Sequence, residues 1–226
     1  MPTFDLEKEI CPNGFVFGID EAGRGPWCGP VVAACVCWPE CKIPQELAEQ
    51  IDDSKKLTAS KRDVLFDKIM ASNAYIGIGI SSSTEIDEKN ILAATFLAME
   101  RAVKQAEENF HQKADALLID GNRLPKNLTI PAKAVIKGDH LSLSIASASI
   151  IAKVTRDKLM KELAKTYPQY GWEKNAGYGT KDHIKAIEQY GITSIHRRSY
   201  APIKRFLEGQ NVAPVKKGAQ EQLSLL

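Results

Sequence analysis

The chain lacks three things that would assign it quickly. No apolar run approaches the roughly 20 residues that a membrane-spanning helix needs. No C-x-x-C pair announces a zinc knuckle, although there are 5 cysteines. No excess of either charge stands out, with 30 Lys and Arg against 28 Asp and Glu and a formal net charge of +2. Each absence removes a class. The N-terminal "MPTFDLEKEICPNG" is acidic and polar, without the basic segment and apolar core of a secretory signal, so the expected location is the cytoplasm. An odd cysteine count, with Cys28, Cys35, Cys37 and Cys41 crowded together, argues against a disulfide framework. Cys35 and Cys37 lie two apart on an expected strand and face the same way; they read as small buried thiols. Bulk charge does not mark a nucleic-acid binder, but the stretch from His196 to Lys217 is locally basic, with seven basic or histidine side chains against Glu208 alone. A dinucleotide fingerprint is also missing. Gly23, Gly25 and Gly29 are spaced one residue too widely, and Pro30 and a β-branched run follow in place of a helix.

What is present is a pattern of short strands and long helices. "GFVFGI" (14–19), "GPVVAACVCW" (29–38) and "AYIGIGI" (74–80) read as strands, the first two forming a hairpin across a Gly/Pro turn. "ADALLIDG" (114–121) and "IPAKAVIKG" (130–138) supply a fourth and a fifth. Helical periodicity covers 58–72 with Thr58 as N-cap, 90–109, 142–167 and 180–191, the last ending at Gly191. The 142–167 helix opens with serines and alanines (Ser144, Ser147 and Ser149 among them) that allow something to pack closely against it. This order predicts an α/β fold: a mixed five-stranded sheet flanked by helices, followed by a helical C-terminal segment. The expected organisation is one catalytic domain over 1–209, with a core of about 14–167 and a helical part of about 168–209, then a flexible tail over 210–226.

The chemistry concentrates at strand ends. "FGIDEAGRGPWCGP" places Asp20 and Glu21 at the end of an apolar strand. Adjacent strand residues point to opposite faces, so the two acids converge only if the strand stops there, as the glycines that follow suggest. Asp120 closes the fourth strand before Gly121, and Asp139 follows the fifth strand just ahead of a long helix. Ligands of open α/β sheets collect at the carboxyl ends of strands. Two unit charges about 4 Å apart repel by roughly 4 kcal/mol at an effective dielectric near 20. Such a group persists only with a cation or with protons retained. An all-oxygen donor set without His or Cys points to Mg²⁺ or Mn²⁺, and paired ions of that kind serve phosphodiester cleavage. Asp157 competes with Asp139 for the fourth place. It lies about 22 Å along the helix, at 1.5 Å per residue, too far for ions about 4 Å apart. Asp139 is therefore preferred, with the positive end of the helix dipole beside it, and Asp157 is expected to pair with Arg156 or Lys153.

The segments "GIDEAGRGPWCGPVVAA", "DDSKKLT", "LLIDGN", "KGDHLSLSIASASIIAKVTRDKLM", "GYGTKDH" and "HRRSYAP" together resemble the bacterial ribonuclease HII family, in the family's order from residue 18 to about 206. The resemblance implies a ribonuclease H-like fold. It implies an endoribonuclease that cuts the RNA strand of RNA–DNA hybrids and nicks duplex DNA 5′ to an embedded ribonucleotide, leaving 3′-hydroxyl and 5′-phosphate ends. The family's metal ligands fall on Asp20, Glu21 and Asp120, with its fourth acid on Asp139, and the implied cofactor is Mn²⁺ or Mg²⁺. The turn Gly23, Arg24 and Gly25 would approach the ribose 2′-hydroxyl, which distinguishes RNA from DNA. Tyr178 would stack on the neighbouring sugar. Lys55, Lys56, Thr180, Lys181, Arg197 and Arg198 are candidate phosphate contacts. Residues Gln222 to Leu226, "QLSLL", are similar to the short peptide by which bacterial replication proteins dock on the sliding clamp. A monomer is expected. The alternatives are a ribonuclease HIII-like enzyme, which usually carries an added N-terminal domain, and a non-catalytic hybrid-binding adaptor, which would gain nothing from four clustered acids.

Overall fold

The computed structural model describes residues 1–52, 54, 57–126 and 128–209. The chain divides into two compact units. Among the described residues, the first holds Met1–Ala22, Val32–Ile80 and Thr95–Val154; the second holds Gly23–Val31, Ser81–Ala94 and 155–209.

The first unit carries the sheet. Its strands are β1 (Val16–Ala22), β2 (Val31–Cys37), β3 (Tyr75–Ser81), β4 (Ala116–Asp120) and β5 (Ala132–Val135), in the spatial order β3-β2-β1-β4-β5. β1 runs antiparallel to β2 and parallel to β4, and β4 runs parallel to β5. This is the expected mixed five-stranded sheet. The strand bounds shift by a residue or more, and the largest differences are in β1 and β5. β1 continues to Ala22, because its pairing with β2 extends to Ala22↔Val32. β5 is only four residues long, and Gly138–His140 winds into a 3₁₀ turn.

The helices are α1 (Asp5–Ile10), α2 (Gln45–Ala48), α3 (Ala59–Met70), α4 (Ser83–Lys89), α5 (Ile91–Phe110), α6 (Leu143–Thr166), α7 (Trp172–Asn175), α8 (Lys181–Tyr190) and α9 (Ala201–Gly209). The four read from periodicity correspond to α3, α5, α6 and α8. Thr58 caps α3 by accepting the Lys61 amide, as its position predicts. Among the helices not anticipated, α1, α2, α4 and α7 span too few residues to display a 3.6-residue period. A capping box of Ser82 and Glu85 nonetheless marks the start of α4.

Packing explains the small residues. One cluster joins Ala34, Val36 and Trp38 to Leu65, Ile69, Ile150 and Ile151; another joins Val16, Ala116, Leu118 and Val135 to Ile145. The first turn of α6 lies directly on β1. A Cβ built at Gly18 would fall 2.4 Å from the Ser144 carbonyl carbon and the Ile145 nitrogen. The serines at the start of α6 are buried; Ser147 Oγ donates to the Leu143 carbonyl and Ser149 pairs with Ser54 at 2.8 Å, whereas the Ser144 hydroxyl has no hydrogen-bond partner among the described residues. Cys28, Cys35 and Cys37 are buried as expected, and burial pushes the Cys28 and Cys37 thiols up to about 12. The second unit packs Cys28, Met160, Leu163, Tyr170, Trp172, Ile187, Ile195 and Ile203 into a core of its own. Among the described residues, no helix is long and apolar enough to cross a membrane.

Candidate active site

Strand register brings the acids of the first unit together. Ile19 of β1 pairs with Ile119 of β4 in a parallel ladder, and Asp20 and Asp120 each stand one residue beyond that pair. In-register residues of neighbouring parallel strands project to the same face, with strands about 4.8 Å apart. A third element closes in from β5. The Gly138 amide donates to Asp120 Oδ1 at 2.7 Å, which seats the 3₁₀ turn, and with it Asp139, beside the end of β4. Asp20 and Asp139 are buried, at 5% and 4% exposure, whereas Glu21 and Asp120 are half-buried. Because β1 does not end at Asp20, Glu21 is a strand residue opposite Ala33, and its amide donates to Asp20 Oδ1 at 2.7 Å. The expectation that the strand ends at the two acids is thus corrected: β1 runs on to Ala22, and the Glu21 charge bears on Asp20 all the same.

The electrostatics follow from that crowding. The Asp20 carboxyl is held well above the usual carboxylate range, first by burial, then by the charges of Glu21 and Asp120. Hydrogen bonds from Ser149 and from the Glu21 amide pull in the opposite direction without prevailing. The donor set is carboxylate oxygen throughout, and its repulsion is what a hard divalent cation would relieve, so the residues fit Mg²⁺ or Mn²⁺. α6 starts at Leu143, and its first amides are already taken: Ser144 N–H donates to Glu7 Oε1 at 3.1 Å and Ile145 N–H to Ser142 Oγ at 3.0 Å. Glu7, buried at 1% exposure, is the carboxylate that sits at this helix start, and Ser142 Oγ–H also donates to it at 2.6 Å.

The second unit carries the glycine turn. Gly23 has φ +97°, and a Cβ there would strike Arg156 Nε at 2.1 Å. Its glycine is therefore required by an internal guanidinium. Gly25 is different: it is exposed, and an added Cβ would meet only the Tyr178 ring, at 3.5 Å. Arg24 is exposed, and Tyr178 is 48% exposed. The Trp27 amide donates to the Gly177 carbonyl at 2.8 Å and ties the turn to the loop that bears Tyr178.

Arg197 is corrected. It is fully buried, not a surface phosphate contact. Its guanidinium donates to the carbonyls of Gly29, Arg24, Gly23 and Pro30 at 3.0, 2.9, 2.6 and 3.1 Å, and to the Tyr200 hydroxyl at 2.8 Å. Arg156 behaves alike. It donates to the carbonyls of Pro30, Ala176 and Cys28, so each of its guanidinium nitrogens is committed to backbone. Burial lowers both guanidiniums, Arg156 to about 10. Thr180 is exposed and caps α8 by accepting the His183 amide. The Arg198 amide donates to Asp87. Lys55, Lys56 and the tail with Gln222–Leu226 lie outside the described residues. Glu7, Arg156, His183 and His196 were not singled out as functional from sequence, since a buried charge or histidine carries no period or spacing of its own.

A match to the family model described as Ribonuclease HII covers residues 17–203. The chain is 48% identical over 207 residues to Ribonuclease HII of Paramagnetospirillum magneticum, covering 92% of this chain and 99% of that one. It is 50% identical over 202 residues to that of Wolbachia sp. subsp. Brugia malayi, covering 89% and 94%. Among solved structures, ribonuclease H2 from Pyrococcus horikoshii OT3 superposes with a TM-score of 0.67 at 29% identity, over 85% of this chain and 97% of that one. Bst-RNase HIII in complex with Mn²⁺ gives 0.71 at 17% identity, over 92% and 73%, which speaks to the fold. Strand-end acids in register, a ribonuclease H-like sheet and these relatives agree, and the chain belongs to the ribonuclease HII family of ribonuclease H enzymes.

Proposed function

We propose that the protein cleaves the RNA strand of RNA–DNA hybrids and nicks duplex DNA on the 5′ side of an embedded ribonucleotide, leaving 3′-hydroxyl and 5′-phosphate ends. The observation that carries this is the convergence of Asp20, Asp120 and the Gly138–His140 turn at adjacent strand ends, with Asp20 raised by its neighbours. Asp20, Glu21, Asp120 and Asp139 would hold two Mn²⁺ or Mg²⁺ ions. Bound there, such ions supply an activated water nucleophile and neutralise charge at the leaving 3′-oxygen. The chain's own part is positioning. The β1–β4 register fixes Asp20 against Asp120, and the Gly138 amide occupies Asp120 Oδ1, leaving Oδ2 for a ligand. The turn of Gly23, Arg24 and Gly25 follows Glu21 after one residue, and we assign it to the ribose 2′-hydroxyl. Gly25 is open on its outer side, and the exposed ring of Tyr178 stands beside it for sugar stacking.

Cleavage mapping on a duplex with one ribonucleotide tests this. A single cut directly 5′ of the ribose, with either metal, is expected; cuts at other positions, or none, would sink it. Asp20→Asn should remove cleavage by about 10³-fold, several kcal/mol of transition-state stabilisation, while duplex binding persists. We also infer that Gln222–Leu226 docks on a sliding clamp; a structural neighbour with 24% identity and a TM-score of 0.65 is the PCNA:RNase HII complex of Archaeoglobus fulgidus. Truncation after Ala219 should abolish clamp binding in a titration, and unchanged affinity would retire the idea.

A further inference from the structure

Two of the motifs noted in the sequence, "GYGTKDH" and "HRRSYAP", each contribute a histidine that the chemistry above does not use. In the second unit they meet. His183 and His196 are buried, at 0% and 1% exposure, and their Nε2 atoms lie 3.2 Å apart. Cys28 offers its sulfur to the same cluster, with the three ligating atoms within 4.8 Å of one another, so a metal site is the first reading to test.

Hydrogen-bond polarity decides against the metal. His196 Nδ1 receives two donors, the Thr193 amide at 3.1 Å and the Thr193 hydroxyl at 2.9 Å. The hydroxyl oxygen itself accepts the Ile195 amide at 3.2 Å, which leaves its proton free to point at the ring. Nδ1 of His196 is thus unprotonated, and its proton sits on Nε2. That Nε2–H donates to His183 Nε2, which also receives the Trp172 indole N–H at 3.1 Å. His183 Nε2 is then the acceptor, so its proton is on Nδ1, 2.9 Å from the Tyr178 carbonyl, a group that can only accept. Both tautomers are dictated from the ends of the chain. A metal on both Nε2 atoms would force the His196 proton onto Nδ1, against two donors.

The chain ends on Tyr178. Its carbonyl takes the His183 Nδ1–H and the Thr180 amide, at 2.8 Å, and so has both lone pairs filled. The side chain on the same residue is the exposed ring beside Gly25. A loop residue with a half-exposed aromatic ring would otherwise sample several orientations. We propose that His183 and His196 are positioning residues that fix the Tyr178 backbone, and thereby its ring, through a directed run of hydrogen bonds from Thr193. This rests on the reading that Tyr178 contacts the sugar at the ribonucleotide. Burial keeps both imidazoles neutral, His196 down at about 3, so the chain holds its polarity across the physiological range.

The measurement is the ratio of kcat/KM on a duplex with one ribonucleotide to kcat/KM on a continuous hybrid, in wild type, His183→Leu, His183→Asn, Tyr178→Ala and the Tyr178→Ala/His183→Leu double variant. One lost hydrogen bond translates to about a threefold to tenfold fall in that ratio for His183→Leu. His183→Asn, whose amide can still donate to the Tyr178 carbonyl, should recover most of it. In the Tyr178→Ala background His183→Leu should add nothing. A ratio that falls in Tyr178→Ala but not in His183→Leu, or additive losses, would overturn the positioning role alone. An unchanged ratio in Tyr178→Ala would overturn the underlying reading and the inference with it. If His183→Leu does not fold, nitrogen spectra of the wild-type imidazoles serve instead: Nδ1–H on His183 and Nε2–H on His196 are expected, and the reverse tautomers, or stoichiometric zinc lost in Cys28→Ser, would refute the chain.

Discussion

The two units meet one physical problem with opposite signs. In the first, buried Asp20 is crowded by half-buried Glu21 and Asp120, and it is raised because burial and these neighbours disfavour charge. In the second, Arg156 and Arg197 are buried, and desolvation lowers both. The solutions differ. The guanidiniums are spent on carbonyls of residues 23, 24, 28, 29, 30 and 176, so the protein itself compensates them. At Asp20 the internal donors, Ser149 and the Glu21 amide, do not outweigh the crowding, and a cation from outside would. A buried charge satisfied internally builds structure, and one left under-compensated is available for chemistry. Glu7 separates sign from role: it is a buried carboxylate of the first unit, yet its Oε1 accepts the Ser142 hydroxyl and the Ser144 amide at the start of α6, while its Oε2 is buried without a hydrogen-bond partner among the described residues.

Three stability measurements put this contrast to the test. The largest effect belongs to Arg197→Met, which strands several buried carbonyls and is expected to cost about 3–5 kcal/mol, roughly 10 °C in Tm. A loss below about 1 kcal/mol, the worth of a single ordinary hydrogen bond, would mean that the guanidinium is not what orders the turn. Next, Glu7→Ala should cost about 1–2 kcal/mol, by removing a carboxylate at a helix start and the acceptor of two hydrogen bonds. A stabilised Glu7→Ala would place Glu7 with the repelling acids instead. The smallest effect is on the apo protein in chelator. Asp20 is raised in the folded state, so its protonation favours folding: stability from this group is fully present below the ordinary carboxylate pKa and is lost as pH rises through the elevated folded value. Wild type should therefore gain Tm on acidification relative to Asp20→Asn, and Asp20→Asn should melt higher at neutral pH. Parallel pH curves for the two proteins would contradict the strain assigned to Asp20.

How much was legible beforehand depended on sequence distance. Asp20, Glu21, Asp120 and Asp139 are legible because an apolar run that closes on acids next to a glycine turn is a local pattern. The five strands and the helices α3, α5, α6 and α8 were legible for the same reason. The extension of β1 to Ala22 was not, since only its partner β2 reveals it. Arg197 was misassigned because a basic residue in a basic stretch reads as surface until its carbonyl partners at Gly23 and Arg24, far earlier in the chain, are seen.

The alternation of strands and helices, the acids near strand ends and the glycine turn are written locally in the chain, because each is set by neighbours within a few residues. Which polar groups find partners follows from the three-dimensional packing alone: Glu7 at the start of α6, Arg156 and Arg197 behind the turn, and the histidine chain that ends on Tyr178. Compensation of a buried polar group depends on partners distant in the chain, and no local period or spacing encodes them.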